Sequence, residues 1–259
     1  MRRALVLAIT LGGAATASAH IAPSVDDNNR YLKLTPLGDR VRLAYVVFYG
    51  EVPGARLRPT IDADRDGAIS DAEGQAFGAR LGRELAEALD VSVDGAQQRL
   101  AWATISAGMG SPRVAAGAFS VDLVAYLCLS PARGRHEVRL FDRFRVPHPG
   151  ETEVKIEDSP GVRIDRARVG DTSDPTGSFR FAGPGGPLSD SGLLLAFTAS
   201  DQALAPDDGA CAGAAAAAAA GRSSAGVIAI AAAAVVFGGA AAGAAVLVRR
   251  RRRHRGARA

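Results

Sequence analysis

Four of the acids in residues 62–73, DADRDGAISDAE, fall at Asp62, Asp64, Asp66 and Glu73, with Gly67 in the middle. Carboxylates this close repel one another, so the crowding makes sense only if a cation shares the charge. The chemistry it suits is that of a hard cation. Ca²⁺ takes six to eight oxygens at about 2.3–2.6 Å, and alternate side chains of a tightly turned loop converge on one centre. Asp62, Asp64 and Asp66 would give side-chain oxygens, Ala68 its backbone carbonyl, and Ser70 an oxygen acting through a water. Glu73 would close the shell with two oxygens from the first turn of a following helix.

This is the spacing of an EF-hand calcium loop, with Gly67 at the turn and the aliphatic Ile69 after it. A solvated acidic turn before a helix N-capped at Asp71 would share some of these features, but not the four acids, the glycine and the aliphatic together. Before the loop, Pro53, Gly54 and Pro59 are expected to forbid a regular entering helix. No second loop offers Ile69 a partner. A half hand of this kind predicts a structural staple, fixing the second strand to the helix, with extracellular-type affinity of about 10⁻⁴–10⁻³ M.

The elements that must hold the loop are mostly strands. Apolar residues alternate in YLKLTP (31–36), RVRLAYVVFY (40–49) and AFSVDLVAYLCLS (118–130), and in shorter runs as far as GLLLAFTA (192–199), with Gly, Pro, Asp and Asn between them. Eight or nine such runs predict a mainly β, antiparallel, sandwich-like domain. One helix interrupts it: Phe77, Leu81, Leu85 and Leu89 recur every four residues, predicting a helix over 71–89. Residues 170–190, rich in Gly, Pro, Ser and Asp, read as a long loop.

The two ends read as addresses. Residues 1–19, MRRALVLAITLGGAATASA, have the basic start, apolar run and small-residue cleavage site of a secretory signal peptide. Residues 225–248 are uncharged and, as a helix, long enough to span a bilayer. The arginine-rich tail 249–259 after them marks the cytoplasmic side. The expectation is an exported domain over 20–199, a low-complexity linker over 200–224, and a single transmembrane helix. The segment 20–210 holds all 27 acids against 21 Lys and Arg, a net charge of −6, so the overall pI of 9.5 belongs to the tail. Nothing in this distribution marks a nucleic-acid surface. Gly239 and Gly243 would give the span a face for helix-mediated dimerisation.

Other chemistry is sparse. A mature N-terminus at His20 could chelate Cu²⁺ or Ni²⁺ through its amine and imidazole, and His136 or His148 could complete such a site, although no close spacing links the three. Export permits a disulfide between the two cysteines, but Cys128 reads as a small core residue in a strand and Cys211 as part of an exposed stretch. No nucleophile elbow, zinc-protease helix or phosphate loop occurs, which argues against an enzyme.

His20 with RVRLAYVVFYGEVP, the acidic loop, its helix and VSVDG resembles the exported N-terminal region of bacterial nickel/cobalt-transporter-type membrane proteins, over about residues 20–145. Those proteins continue into several membrane helices. For a chain with one span, the resemblance implies an accessory domain beside a metal-handling transporter or surface protein. Cys211, the small-residue linker, the apolar span and the five arginines resemble the cysteine-containing sorting tails of the MYXO-CTERM type. That resemblance implies processing or anchoring near Cys211 and retention at the cell surface. Taken together, the chain is expected to be a non-catalytic, membrane-anchored extracytoplasmic Ca²⁺-binding domain. The alternative is a transition-metal (Ni, Co or Cu) accessory protein.

Overall fold

Strand β1 (Asn28–Pro36) turns back into β2 (Arg40–Tyr49), and the alternation of their residues decides which face is buried. Leu32 and Leu34 point the same way as Val41, Leu43, Tyr45 and Val47, and all six are inaccessible to solvent. The computed structural model describes residues 26–173, 180–181, 188–206 and 208–211. Within them the chain continues through helix α1 (Glu51–Leu57), the 3-10 turn Arg58–Thr60, helix α2 (Asp71–Ala88), and strands β3 (Leu89–Val93), β4 (Ala96–Gln98), β5 (Trp102–Gly108), β6 (Phe119–Cys128) and β7 (Gly134–Asp142). It ends with β8 (Pro149–Ile156), β9 (Val162–Val169), β10 (Thr172–Ser173), β11 (Arg180–Phe181) and β12 (Leu193–Ala199).

The strands form two six-stranded sheets, ordered β11-β8-β1-β2-β6-β5 and β10-β9-β12-β7-β3-β4. The fold is mainly β, as the period-two runs imply. One pairing departs from an all-antiparallel layout. β8 returns from the second sheet and joins β1 in parallel. The two short strands β10 and β11 lie in the stretch that reads as a loop.

Core side chains come from both sheets. In β6, Phe119, Val121, Leu123, Ala125 and Leu127 are all buried, and Val138 and Leu140 of β7 and Leu195 and Phe197 of β12 join them. A polar tie crosses this core. Arg30 of β1 bonds through Nη1 to Asp142 Oδ2 of β7 at 2.8 Å, and the Tyr45 hydroxyl of β2 donates to the same oxygen at 2.8 Å. Both partners of the ion pair are nearly inaccessible, at 5% and 0% of their side-chain area. Burial pushes the Asp142 carboxyl upward and the Arg30 guanidinium pulls it back.

Helix α2 is built on two stripes. Phe77, Leu81 and Leu85 are buried in one row, and burying each contributes about 1.5–3 kcal/mol. Gly74, Gly78 and Gly82 form the other and let the helix axis come close to β5. A Cβ at position 82 would sit 2.8 Å from the Ile105 side chain, and Trp102 Nε1 donates to the Gly82 carbonyl at 2.7 Å. The helix ends at Ala88, and Leu89 opens β3.

Three expectations change here. Pro53, Gly54 and Pro59 do not prevent an entering helix. Pro53 is the third residue of α1, counted from the N-cap at Gly50, where its missing N–H would have no helical partner anyway. Pro59 likewise falls at the start of the 3-10 turn. Gly54 is needed for another reason, because a Cβ there would lie 2.6 Å from the Gly117 carbonyl oxygen. Second, Cys128 is half-buried on the outward phase of β6 and bonds to Cys211, which is only 8% exposed. Third, the chain from 200 to 211 packs on the domain rather than leaving it. Arg40, at 1% exposure, pairs with Asp39 and Asp208 and donates to the Pro206 carbonyl at 2.8 Å.

The segments expected to be a signal peptide (1–19), a membrane span (225–248, with Gly239 and Gly243) and a basic tail (249–259), together with His20 and residues 212–224 of the expected linker, lie outside the described residues. Among the described residues no helix is long and apolar enough to cross a membrane.

Candidate metal centre

Backbone geometry fixes the acidic loop first. The 3-10 turn closes with Ile61 N and Asp62 N donating to the Arg58 carbonyl at 2.9 and 3.2 Å. The chain then reverses through Arg65 at φ 63° and Gly67 at φ 88°. A Cβ at position 67 would meet no atom, so glycine is required there by its positive φ and not by space.

The aspartates stitch the reversal to its own backbone. Asp62 Oδ2 accepts from Gly67 N at 3.1 Å, Asp64 Oδ1 from Asp66 N at 3.2 Å, and Asp66 Oδ1 from Ala68 N at 2.8 Å. One carboxylate oxygen from each lies within 4.8 Å of the others, the one such grouping of three metal-ligating side chains among the described residues. Asp64 and Asp66 are exposed, while Asp62 is 8% exposed. Its Oδ1 is buried and has no hydrogen-bond partner.

Glu73 closes the loop differently. Its Oε1 accepts from Ala63 N at 2.6 Å, and its Oε2 accepts from Ser70 N at 2.9 Å and Ser70 Oγ at 2.8 Å. Ser70, the N-cap of α2, accepts in turn from Glu73 N, so the two form a capping box. The cap is therefore Ser70 and not Asp71. These donors, led by the Ser70 backbone N–H, hold the Glu73 carboxyl down at about 2. The structure thus gathers Asp62, Asp64 and Asp66, and engages Glu73 and Ser70 with backbone at the loop's two ends.

The middle of the loop has a partner that the sequence did not reveal. Ala68 forms an antiparallel bridge with Arg113. Ile69 N donates to the Pro112 carbonyl at 2.6 Å, and Val114 N donates to the Gly67 carbonyl at 3.1 Å. The 109–117 segment does for Ile69 what a second loop would otherwise do. Arg58 holds that segment in place. It is fully buried, and its guanidinium donates to the carbonyls of Met109, Ser111 (2.8 Å) and Gly117 (3.1 Å). No carboxylate bonds it, and burial pushes its pKa down. Arg56 and Arg58 both lie between Pro53 and Pro59 and neither stands in a periodic pattern, so only the fold exposes the role of Arg58.

The two described histidines do not gather. His136 is buried on β7, with Nδ1 2.8 Å from Asp94 Oδ2, and His148 is exposed at φ 46°. Neither belongs to a metal-ligating group among the described residues.

No protein-family model matches the chain, and no curated protein matches it.

Proposed function

We propose that this is a membrane-anchored extracytoplasmic domain, non-catalytic, in which Ca²⁺ bound in the 62–73 loop acts as a structural staple. The reading rests on one observation above the others. Asp62 Oδ1 is a carboxylate oxygen buried without a hydrogen-bond partner, beside the carboxylates of Asp64 and Asp66. Burying a charged oxygen with nothing to meet it is costly, and a hard cation removes that cost. The donors on offer are oxygen throughout: Asp62, Asp64 and Asp66 lie together, and the Ala68 carbonyl, Ser70 and Glu73 would complete the shell, the last two by turning from their present hydrogen-bond partners toward the same centre. Ca²⁺ would supply charge neutralisation and no reactive centre. The loop joins α1, α2 and the 109–117 segment, so neutralising it would stiffen all three together.

Calorimetric titration of the full-length chain with Ca²⁺ tests this, with Asp62→Ala alongside and Ni²⁺ and Cu²⁺ as parallel titrants. One site at about 10⁻⁴–10⁻³ M, absent in the variant, is the expected result. No heat and no thermal stabilisation beyond that range would make the loop an acidic turn only. Tight Ni²⁺ or Cu²⁺ binding in its place would move the function to transition-metal handling through His20.

A further inference from the structure

The polar tie between the sheets also forms the floor of a cavity of about 590 Å³, within the span of about 300–1,000 Å³ usual for small-molecule sites. Arg30 and Asp142 line it, with Arg145, Phe144, Val146 and Asp190. Arg30 is only 4% exposed, and its five N–H donors are not all used. Nε and Nη2 each donate to Thr152 Oγ1, and Nη1 donates to Asp142 Oδ2 and to the Phe144 carbonyl. One Nη2 N–H has no bond. Arg145 is exposed, and its guanidinium has no hydrogen bond or ion pair among the described residues. Arg143, at the same wall, is engaged with Asp90 at 3.3 Å.

Charge and shape narrow the occupant. Arg30 is paired with Asp142 and Arg143 with Asp90, so Arg145 is the lining's one arginine without an ion pair among the described residues, and a single free guanidinium suits a monoanion better than a phosphate dianion. The planar fork of an arginine matches a carboxylate with two parallel bonds. Phe144, Val146 and Pro149 offer an apolar wall for the rest of the molecule.

We propose that this cavity binds a small organic carboxylate, gripped by the free guanidinium of Arg145 and the unused Nη2 N–H of Arg30, with its apolar body against Phe144 and Val146. The site is separate from the acidic loop and does not depend on Ca²⁺.

Calorimetric titration of the full-length chain tests it, with benzoate, its neutral amide benzamide, and inorganic phosphate as probes. Saturable benzoate binding is expected in the millimolar range of so small a ligand, with benzamide weaker by roughly tenfold, the difference a charge-assisted pair makes. Arg145→Gln, exposed and outside the core, should leave the unfolding midpoint unchanged and erase the preference for benzoate over benzamide. Equal affinity for acid and amide, wild-type benzoate binding in Arg145→Gln, or no saturable binding by either would overturn the proposal. Tighter binding of phosphate than of benzoate would overturn the assignment to a carboxylate.

Discussion

Arg30 and Arg58 are both hidden from solvent, and they keep their charge in opposite ways. Arg30 meets a carboxylate, Asp142, from the other sheet. Arg58 meets no carboxylate: its hydrogen bonds go to carbonyls of the 109–117 segment, and its guanidinium lies 5.5 Å from the Phe119 ring centroid. The first arrangement cancels charge across the core and fixes the two layers to each other. The second leaves the charge in place and spends its directed donors on shaping one loop. The difference teaches what each region needs. Between the sheets, the requirement is a counter-charge for side chains that are nearly inaccessible. Behind the acidic loop, it is a rigid backbone for Ala68 and Ile69 to bridge.

The largest expected effect comes from breaking the compensated pair. Asp142→Asn keeps the shape but leaves Arg30 charged, buried and without a counter-charge. Loss of one partner from such a pair costs about 3–5 kcal/mol, read as a drop in the urea midpoint. If the midpoint hardly moves, Arg30 is drawing compensation from elsewhere and the contrast with Arg58 fails.

A smaller effect is expected at Arg58, because carbonyls tolerate losing a donor better than a charge tolerates losing its counter-charge. Arg58→Lys keeps the charge, but its three donors on one nitrogen cannot reach Met109, Ser111 and Gly117 together. Two or three unmet carbonyls predict a loss of about 2–3 kcal/mol. The decisive readout is local. Amide exchange at Ile69 and Val114 should speed up more than that of β12, since those two N–H groups bridge the loop and its backing. Uniform acceleration would mean that Arg58 serves packing alone.

Asp62 sharpens the comparison further, since its charge is neither cancelled nor fully met. Asp62→Asn should leave the unfolding midpoint in chelator unchanged or raise it slightly, because a charged oxygen without a partner is removed. The same variant should lose the stabilisation that Ca²⁺ gives the wild type, about 1.4 kcal/mol at ten times the dissociation constant. Thermal melts with and without Ca²⁺ read both. A variant weakened in chelator and still stabilised by Ca²⁺ would show Asp62 to be a structural acid.

How much of this the sequence shows depends on whether a feature is periodic. The alternation in β6 puts Phe119 through Leu127 inward, and the same alternation places Cys128 outward, where it meets Cys211. Reading Cys128 as a core residue overlooked its own phase. The four-residue stripe of Phe77, Leu81 and Leu85 is legible, but the parallel stripe of Gly74, Gly78 and Gly82 is not, because glycine carries no hydropathy signal of its own. The loop motif is legible because its oxygen-bearing residues sit at fixed positions in one short segment. Its backing is not, because Pro112 and Val114 come from over forty residues downstream and bond through backbone alone. The Arg30–Asp142 tie fails for the same reason, as its partners are 112 residues apart. Prolines misled for a different cause: at Pro53 what mattered was position in the first turn, which only the N-cap at Gly50 defines.

The smallest effect lies at Glu73, where the loop can be probed by pH without touching either arginine. Its carboxyl is held at about 2, below its ordinary 4.5, by the N–H groups of Ser70, Ala63 and Asp64 and the Ser70 hydroxyl. A folded-state value below the unfolded one means that the unfolded chain binds the proton more readily. The contribution of Glu73 is therefore present above about 4.5 and is lost as pH falls toward 2. Glu73→Gln should flatten the fall in stability through that window and leave the curve above pH 5 parallel to that of the wild type. Because the carboxylate sits at the surface, the change in slope should be modest and should shrink little with salt, since hydrogen bonds rather than a distant charge produce it. A wild-type slope in Glu73→Gln would show that the acid sensitivity of the fold arises elsewhere.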